Sequence, residues 1–527
     1  MVANSVADLV TATPNLVTSI TPFTLETLQG FPYQTYYQQQ EDYTELEKWY
    51  FGTVLEEVVV SEDGKSLVEK YPIKINPLKN TSLKHTSVLF GTNLDSLKFG
   101  GIPINILADL PKEAKANEDI IEKALRKTFS ENGGGSLFIS NGIISQYLGG
   151  CIFAANWIPT QNRIQISNPH PREFIGIPFG TDYWHLREYW IIREIQTDDL
   201  PAYGLPIDQV GGIYWYNEHW TQDTYEIRIN NTILKIDGEE AKGKNPFGIA
   251  PAVYIPHIRT TGFMGKSIIT TAIKGLIREM NLRFADIGDA VSEDSHTYTV
   301  TRNVKGTIRP ISIGDGRTIL DLGSVTGLSG NEANPDMFNV KSTSASSPML
   351  EFTDKLSEMY RNEADHPAVA DGMDEGSQRS AATLTARMWP LTSHAELERS
   401  FWTVGLVEFS KILLKMMAIK GINGVKKEHL EIPLIVQWST MLPRDRDAIV
   451  QEAAIRALHH LGTKEHLIEL FGDTQDPGAE MDEVWKEMKK EAEAMPQQTP
   501  FGGPTPAPAK GGGASGSKSN SRGSAKA

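Results

Sequence analysis

Residues 262–294 read GFMGKSIITTAIKGLIREMNLRFADIGDAVSED. Within and just after the glycines, Ile269, Ile273, Leu276, Met280, Phe284, Ile287 and Val291 recur at intervals of 4, 3, 4, 4, 3 and 4 residues. An α-helix turns once every 3.6 residues, so this spacing predicts one continuous apolar face. The pattern lasts about six turns, roughly twice the usual helix length in globular proteins. Gly275 and Gly288 weaken it only mildly. A second amphipathic run, LEFTDKLSEMYRNEAD at 350–365, places Phe352, Leu356, Met359 and Tyr360 on one side. Residues 295–349, between the two, hold short β-type runs, many turns and little from which to build a core. Two helices flanking a small strand-and-loop module have the shape of a stalk carrying a tip.

Beyond the second helix comes DGMDEGSQRSAATLTARMWPL, residues 371–391. A loop of Gly, Asp and Ser passes directly into a helix-prone segment. Read from its residues alone, it is a surface loop with Gln378 and Arg379 at a helix start capped by Ser377 or Ser380. Pro390 removes a backbone bond and crowds the Ala386 carbonyl, which predicts a kink or break. Ser393 and Glu396 follow at capping-box spacing. Leu397, Phe401, Val404, Val407, Ile412, Leu413, Met416 and Met417 then predict a long, largely buried helix from His394 to Lys420. The remainder reads as helical and acidic, its final helix opening at Asp476 and Pro477. Residues 495–527 are Pro, Gly, Ser and Ala with Lys510, Lys518, Arg522 and Lys526 and no acids, a composition predicted to be disordered.

Toward the N-terminus, EDYTELEKWYFGTVL and NEDIIEKALRKTFSE read as amphipathic helices, the second with Ile120, Ile121, Leu125 and Phe129 inward and Asn117 as its cap. Cys151 to Ile255 is strand-like, rich in aromatic and β-branched residues and holding Trp157, Trp184, Trp190, Trp215 and Trp220. Aromatic packing in a β core is the favoured reading over a sugar or base platform. The fold class is therefore α+β.

The chain has 527 residues and a formal net charge of −15; the tail contributes four positive charges, so residues 1–494 carry −19. That balance argues against a protein that grips nucleic acid over its whole surface, which needs Lys and Arg against the phosphates. Cys151 is the single cysteine, excluding an intrachain disulfide and a Cys-based zinc site; its apolar neighbours predict a buried thiol. The first residues lack the basic and apolar regions of a signal peptide, and nothing approaches the roughly 18 apolar residues of a membrane span. A cytoplasmic chain is expected, with the sequons at Asn80 and Asn230 as chance matches. His170 and His185 show no convergent ligand spacing, and His459 and His460 point apart on a helix. DGMDEG lacks the oxygen pattern of a calcium loop, and ENGGGS and IGDGRT lack a P-loop Lys-Ser/Thr. No metal, cofactor or catalytic group is expected.

Three stretches together resemble the portal proteins of tailed double-stranded DNA bacteriophages, the head–tail connector family. They are IPHIRTTGFMGKS leading into IKGLIREMNLRFADIGDAV, HPAVADGMDEGSQRSAATLTARMWPL leading into ELERSFWTVGLVEFSKILLK, and IVQWSTMLPRDRDAIVQEAAIRALHHLGTKEHLIELFGD. The likeness runs through residues 250–490 and, more loosely, 30–250. It implies a structural protein without catalysis: twelve copies in a ring that replaces one capsid pentamer, with DNA pumped in by the terminase and later released through the central channel. It implies a mixed α/β wing (1–265), a stem helix (266–294), a small α/β clip (295–349), a second stem helix (350–366), a tunnel loop (367–379), a long kinked helix (380–424) and a helical crown (425–494). Asp371, Asp374, Glu375, Gln378, Arg379 and Ser380 would lie at the DNA channel, on a wall of negative or mixed charge. Arg302, Lys305, Arg309 and Arg317 would lie on the clip, facing the terminase large subunit and the head–tail adaptor. The family often starts its tunnel helix with Ser-Gly; here the pair is Arg379-Ser380. The other implied partners are the major capsid and scaffold proteins, with no membrane. The implied location is the virion's capsid vertex, with the host cytoplasm during assembly. Two other readings stay open: an enzyme or binding protein with its site in the Trp-rich β region, and a different virion adaptor.

Overall fold

The computed structural model describes residues 28–494 except 29, 61–66, 72, 92–102, 110–114, 204, 206–212, 237–238, 296–297, 303–318, 322–335, 341–345, 374–380, 443–445 and 460–476. The chain divides into two compact units, 1–443 and 444–527.

The first unit begins with helices α1 (Tyr33–Phe51) and α2 (Leu78–Phe90), strand β1 (Ile104–Ala108), and helices α3 (Lys115–Glu131) and α4 (Gly135–Leu148). Helix α3 starts two residues before Asn117, the expected cap. Helix α4 is buried nearly all round and ends on Gly149 at φ +83°, a left-handed position that favours glycine. Strands β2 (Gly150–Ile158) and β3 (Arg163–Ser167) follow, then an antiparallel meander of β4 (Phe174–Phe179), β5 (Asp182–Gln196), β6 (Ile213–Thr221) and β7 (Thr224–Ile229). The meander is the Trp-rich stretch, and its aromatics pack as a β core. Trp190 is buried and stacks on His219 at 3.5 Å, and buried Trp220 stacks on Tyr225 at 4.8 Å. Strand β8 (Ala252–Pro256) returns to pair with β2, placing Ile255 opposite the fully buried Cys151. Burial pushes that thiol's pKa well up, as its apolar setting in the sequence suggests.

Helix α5 (Thr271–Ser295) begins five residues later than the first residue of the expected stem, because Thr270 Oγ1 accepts the Ile273 amide and caps it. Among its described side chains the buried apolar ones are Ile273, Ile277 and Met280, preceded by Ile269. Ile277 replaces Leu276 at the centre of the face, and Val291, expected inside, is 55% exposed. Asn281 is fully buried because its side chain bonds both the Ile75 amide (2.7 Å) and the Ile75 carbonyl (2.9 Å), satisfying the backbone of the chain that crosses it. Strands β9 (Tyr298–Arg302), β10 (Ile319–Asp321) and β11 (Asp336–Val340) form a small sheet with β9 in the centre, parallel to β10 and antiparallel to β11. Helix α6 (Ser346–Glu363) then packs against α5. Thr353, Leu356 and Tyr360 face inward, whereas Phe352 and Met359, expected on the same side, are exposed.

Gly275 lies inside α5, and a Cβ placed there meets no atom within 4 Å. Gly275→Ala is therefore expected to stabilise the subunit by about 0.5–1 kcal/mol, since alanine loses less backbone entropy in a helix. The urea midpoint reads this directly; a lowered midpoint would show the site to be crowded.

Helix α7 (Ala381–Arg387) and helix α8 (Trp389–Lys420) are separated at Met388. Pro390 thus sits in the first turn of α8, where its missing amide costs nothing. The expected break is present, but the expected capping box is not: Ser393 Oγ donates to the Pro390 carbonyl from inside the helix. The buried face of α8 runs Leu391, Ala395, Glu398, Trp402, Leu406, Phe409, Leu413 and Met416–Met417. Leu397 is 49% exposed and Val404 is also exposed, so the expected face is rotated. Gly405 lets α8 lie directly on β8, since a Cβ there would come 2.6 Å from Ile255 Cγ1.

Residues 425–443, expected to be helical, contain a 3-10 turn and strand β12 (Leu434–Trp438). This strand pairs antiparallel with β1, Val436 opposite Ile106. Leu434 and Val436 point into the core and Ile435 outward, the period-2 pattern of a half-buried strand. The second unit contains helices α9 (Arg446–Leu458) and α10 (Pro477–Ala494).

Candidate functional site

Helix α6 ends in a left-handed turn that leads into the expected loop. Asp365 has φ +49°, and the His366 amide returns to the Arg361 carbonyl at 2.8 Å, a Schellman closure with aspartate where glycine is usual. A single 3-10 turn, Ala368–Asp371, follows, ending on Gly372 at φ +78°. Its last side chain is tied down: Asp371 Oδ1 accepts from His366 Nε2 (2.9 Å) and Asn80 Nδ2 (2.8 Å). Burial alone would raise the Asp371 carboxyl; the His366 bond and charge and the Asn80 bond outweigh it and hold it below the usual range. Asp371, at the root of the expected loop, is therefore joined to α2. Asp374, Glu375, Gln378, Arg379 and Ser380 lie outside the described residues. Arg302 ends β9, paired with Asp336 of β11; Lys305, Arg309 and Arg317 also lie outside them.

Beneath that root, four histidines and a glutamate from distant parts of the chain converge. His394, in the second turn of α8, places Nδ1 3.0 Å from Asp365 Oδ2. Its Nε2 faces His257 Nε2 at 3.0 Å. His257 follows β8, and its Nδ1 lies 2.9 Å from the Lys266 carbonyl. Glu398, one turn beyond His394, accepts from Gln146 Nε2 (2.7 Å), Ser145 Oγ (3.2 Å) and Trp402 Nε1 (3.2 Å). His85 on α2 stands edge-on to His394, with ring centroids 5.0 Å apart, and stacks on His366 at 6.0 Å. Burial drives the charges here. It pushes the Glu398 carboxyl up to about 7 against the pull of His394 and its three donors. Burial, aided by His394, takes His257 down to about 3. Burial also holds His85 well below the usual histidine value.

None of these histidines stands out in the sequence. The one local signal is His394 and Glu398 at i, i+4, which share a helix face. The histidines noted there sit elsewhere. His170 pairs with Glu47 at 3.2 Å. His185 lies between Asp182 (2.7 Å) and Glu408 (3.1 Å). It lines a cleft of about 220 Å³ with Trp184, Leu186, Ile249, Ile412 and Lys415. No serine, threonine or cysteine lines this cleft beside His185.

The described residues thus hold a packed helix pair with a small three-stranded sheet between its members in sequence. Residues 214–495 match the family model described as Phage portal protein, SPP1 Gp6-like. The match spans more than half of the chain, which belongs to this family of phage portal proteins. Its role is head–tail connection at the capsid vertex of the virion, and the family is structural. No curated protein matches the chain. Among the described residues no helix is long and apolar enough to cross a membrane.

Proposed function

We propose that twelve copies form a ring whose central channel conducts DNA during packaging and ejection. Residues 295–349 are the clip, and Arg302, Lys305, Arg309 and Arg317 meet the terminase large subunit and then the head–tail adaptor. Helices α5 and α6 are the stem, and residues 367–379 form the tunnel loop, with Asp371, Asp374, Glu375, Gln378, Arg379 and Ser380 nearest the duplex. The observation that carries this reading is the paired α5 and α6 holding a three-stranded sheet between their ends, within the region matched by the portal family. Capsid and scaffold proteins surround the ring, and assembly takes place in the host cytoplasm.

Light scattering and negative-stain imaging test it. Twelve copies of a 58.3 kDa chain give about 700 kDa and a central hole. A compact dimer or tetramer without a channel would refute the ring.

DNA carries one charge per 1.7 Å of helix axis, so a basic wall would hold it and an acidic or mixed one lets it slide. Replacing Asp374 and Glu375 together by lysine is expected to cut DNA packaging by about 10-fold or more without altering ring mass, because each lysine adds a salt-sensitive phosphate contact. Packaging measured at low and high salt checks this, with salt expected to restore part of the loss. Wild-type packaging at low salt would place these residues away from the duplex.

A further inference from the structure

We propose that His257, His394 and Glu398 bind a divalent transition-metal ion of the zinc class, clamping α8 to the roots of both stalk helices. His257 Nδ1 lies 2.9 Å from the Lys266 carbonyl and His394 Nδ1 lies 3.0 Å from Asp365 Oδ2. Carbonyl and carboxylate oxygens only accept, so Nδ1 carries the hydrogen in both rings. A neutral imidazole has one N–H, so with both rings neutral each Nε2 is a bare lone pair. The two Nε2 atoms face each other across 3.0 Å. Two bare lone pairs repel at that distance, and either a shared proton or a metal ion between the rings relieves the repulsion.

The surrounding chemistry fits a metal ion. Nitrogens bound at 2.0–2.1 Å to a tetrahedral zinc lie about 3.3 Å from each other, close to the separation here. Glu398 supplies an oxygen: its Oε2 is 3.9 Å from His257 Nε2, and one ligand atom from each of the three residues lies within 4.8 Å of the others. Glu398 is fully buried, and among the described residues no lysine or arginine forms an ion pair with it. The carbonyl behind His257 and the carboxylate behind His394 are the outer partners that metal-binding histidines use to set tautomer and ring orientation. Two imidazoles and a carboxylate suit zinc, cobalt or nickel rather than calcium or magnesium. A water would complete the set; His85, whose ring nitrogens have no hydrogen-bond partner, stands edge-on to His394 outside the three converging ligands.

The position gives the ion a mechanical role. His257 lies on the segment entering α5, Asp365 closes α6, and His394 and Glu398 belong to α8. The role in steadying the tunnel loop rests on the proposed function; metal binding itself does not.

The test uses the full chain, stripped with chelator and titrated with zinc, then with cobalt(II) as a visible-absorption probe. One ion per chain with a tetrahedral cobalt spectrum is expected. Affinity should fall by about 100-fold in His394→Asn and in the near-isosteric Glu398→Gln, and remain unchanged in the cleft variant His185→Ala. Circular dichroism verifies that each variant is folded. No stoichiometric ion on folded wild-type chain, or binding that Glu398→Gln leaves intact, would overturn the site. Ring formation by the metal-free chain separates the outcome here from that of the channel reading.

Discussion

Trp402→Ala is expected to destabilise the first unit by about 3–5 kcal/mol, the range for a large aromatic removed from a packed core. Trp402 is fully buried and meets Phe90 and Phe153 edge-to-face, at 5.3 and 6.0 Å between ring centroids. It joins α8, α2 and β2, so its loss opens a cavity that three elements would have to close together. The cost has a polar part as well, because Trp402 Nε1 donates to Glu398 Oε1 and its removal takes one of three side-chain donors from a buried carboxylate. Trp402→Phe keeps most of the ring and loses the donor, so the difference between the two variants isolates the cavity. Trp389→Ala, on the same helix but 63% exposed, should change stability by no more than about 0.5 kcal/mol in the dissociated subunit. Urea unfolding followed by fluorescence measures all three. A loss under about 1 kcal/mol for Trp402→Ala would mean that α8 is not packed as described.

Gly265→Ala is expected to cost at least about 3 kcal/mol, the upper end of overpacking penalties, because the obstruction is backbone. A Cβ on Gly265 would overlap the Gly149 carbonyl oxygen and come 2.8 Å from Pro256 Cβ. The turn after α4 and the segment entering α5 cross here in contact, sealed by the His257 amide to the Gly149 carbonyl (2.9 Å) and Ser267 Oγ to the Tyr147 carbonyl (2.7 Å). A flexible side chain would yield; two crossing backbones cannot without losing these bonds. The Lys266 carbonyl that orients His257 would move as well. Low soluble yield and a lowered urea midpoint are the expected results, in contrast to the stabilising Gly275→Ala. An unchanged midpoint would show that the crossing is looser than it is drawn.

Local periodicity was enough to place α5, α6, the break before α8 and the β-rich stretch, because repeats of 3.6 and 2 residues are properties of single segments. The apolar neighbours of Cys151 likewise announced its burial, and the order of segments announced the family. Periodicity could not say which part of each apolar face meets the body. On α5 the true face passes through Ile277 and leaves Val291 exposed. On α8 the inward line passes through Glu398 and Trp402, and Glu398 is tolerated there only because Gln146, Ser145 and Trp402 reach it from two helices. Strand β12 is five residues long and its partner β1 lies more than three hundred residues earlier, so nothing within the segment distinguishes it from a loop. The histidine network is the extreme case. His85, His257, His366 and His394 sit on four separate segments, and each alone reads as an ordinary histidine. Their chemistry comes from burial and from mutual approach to a few ångströms, quantities that belong to the packed chain and to no stretch of its sequence.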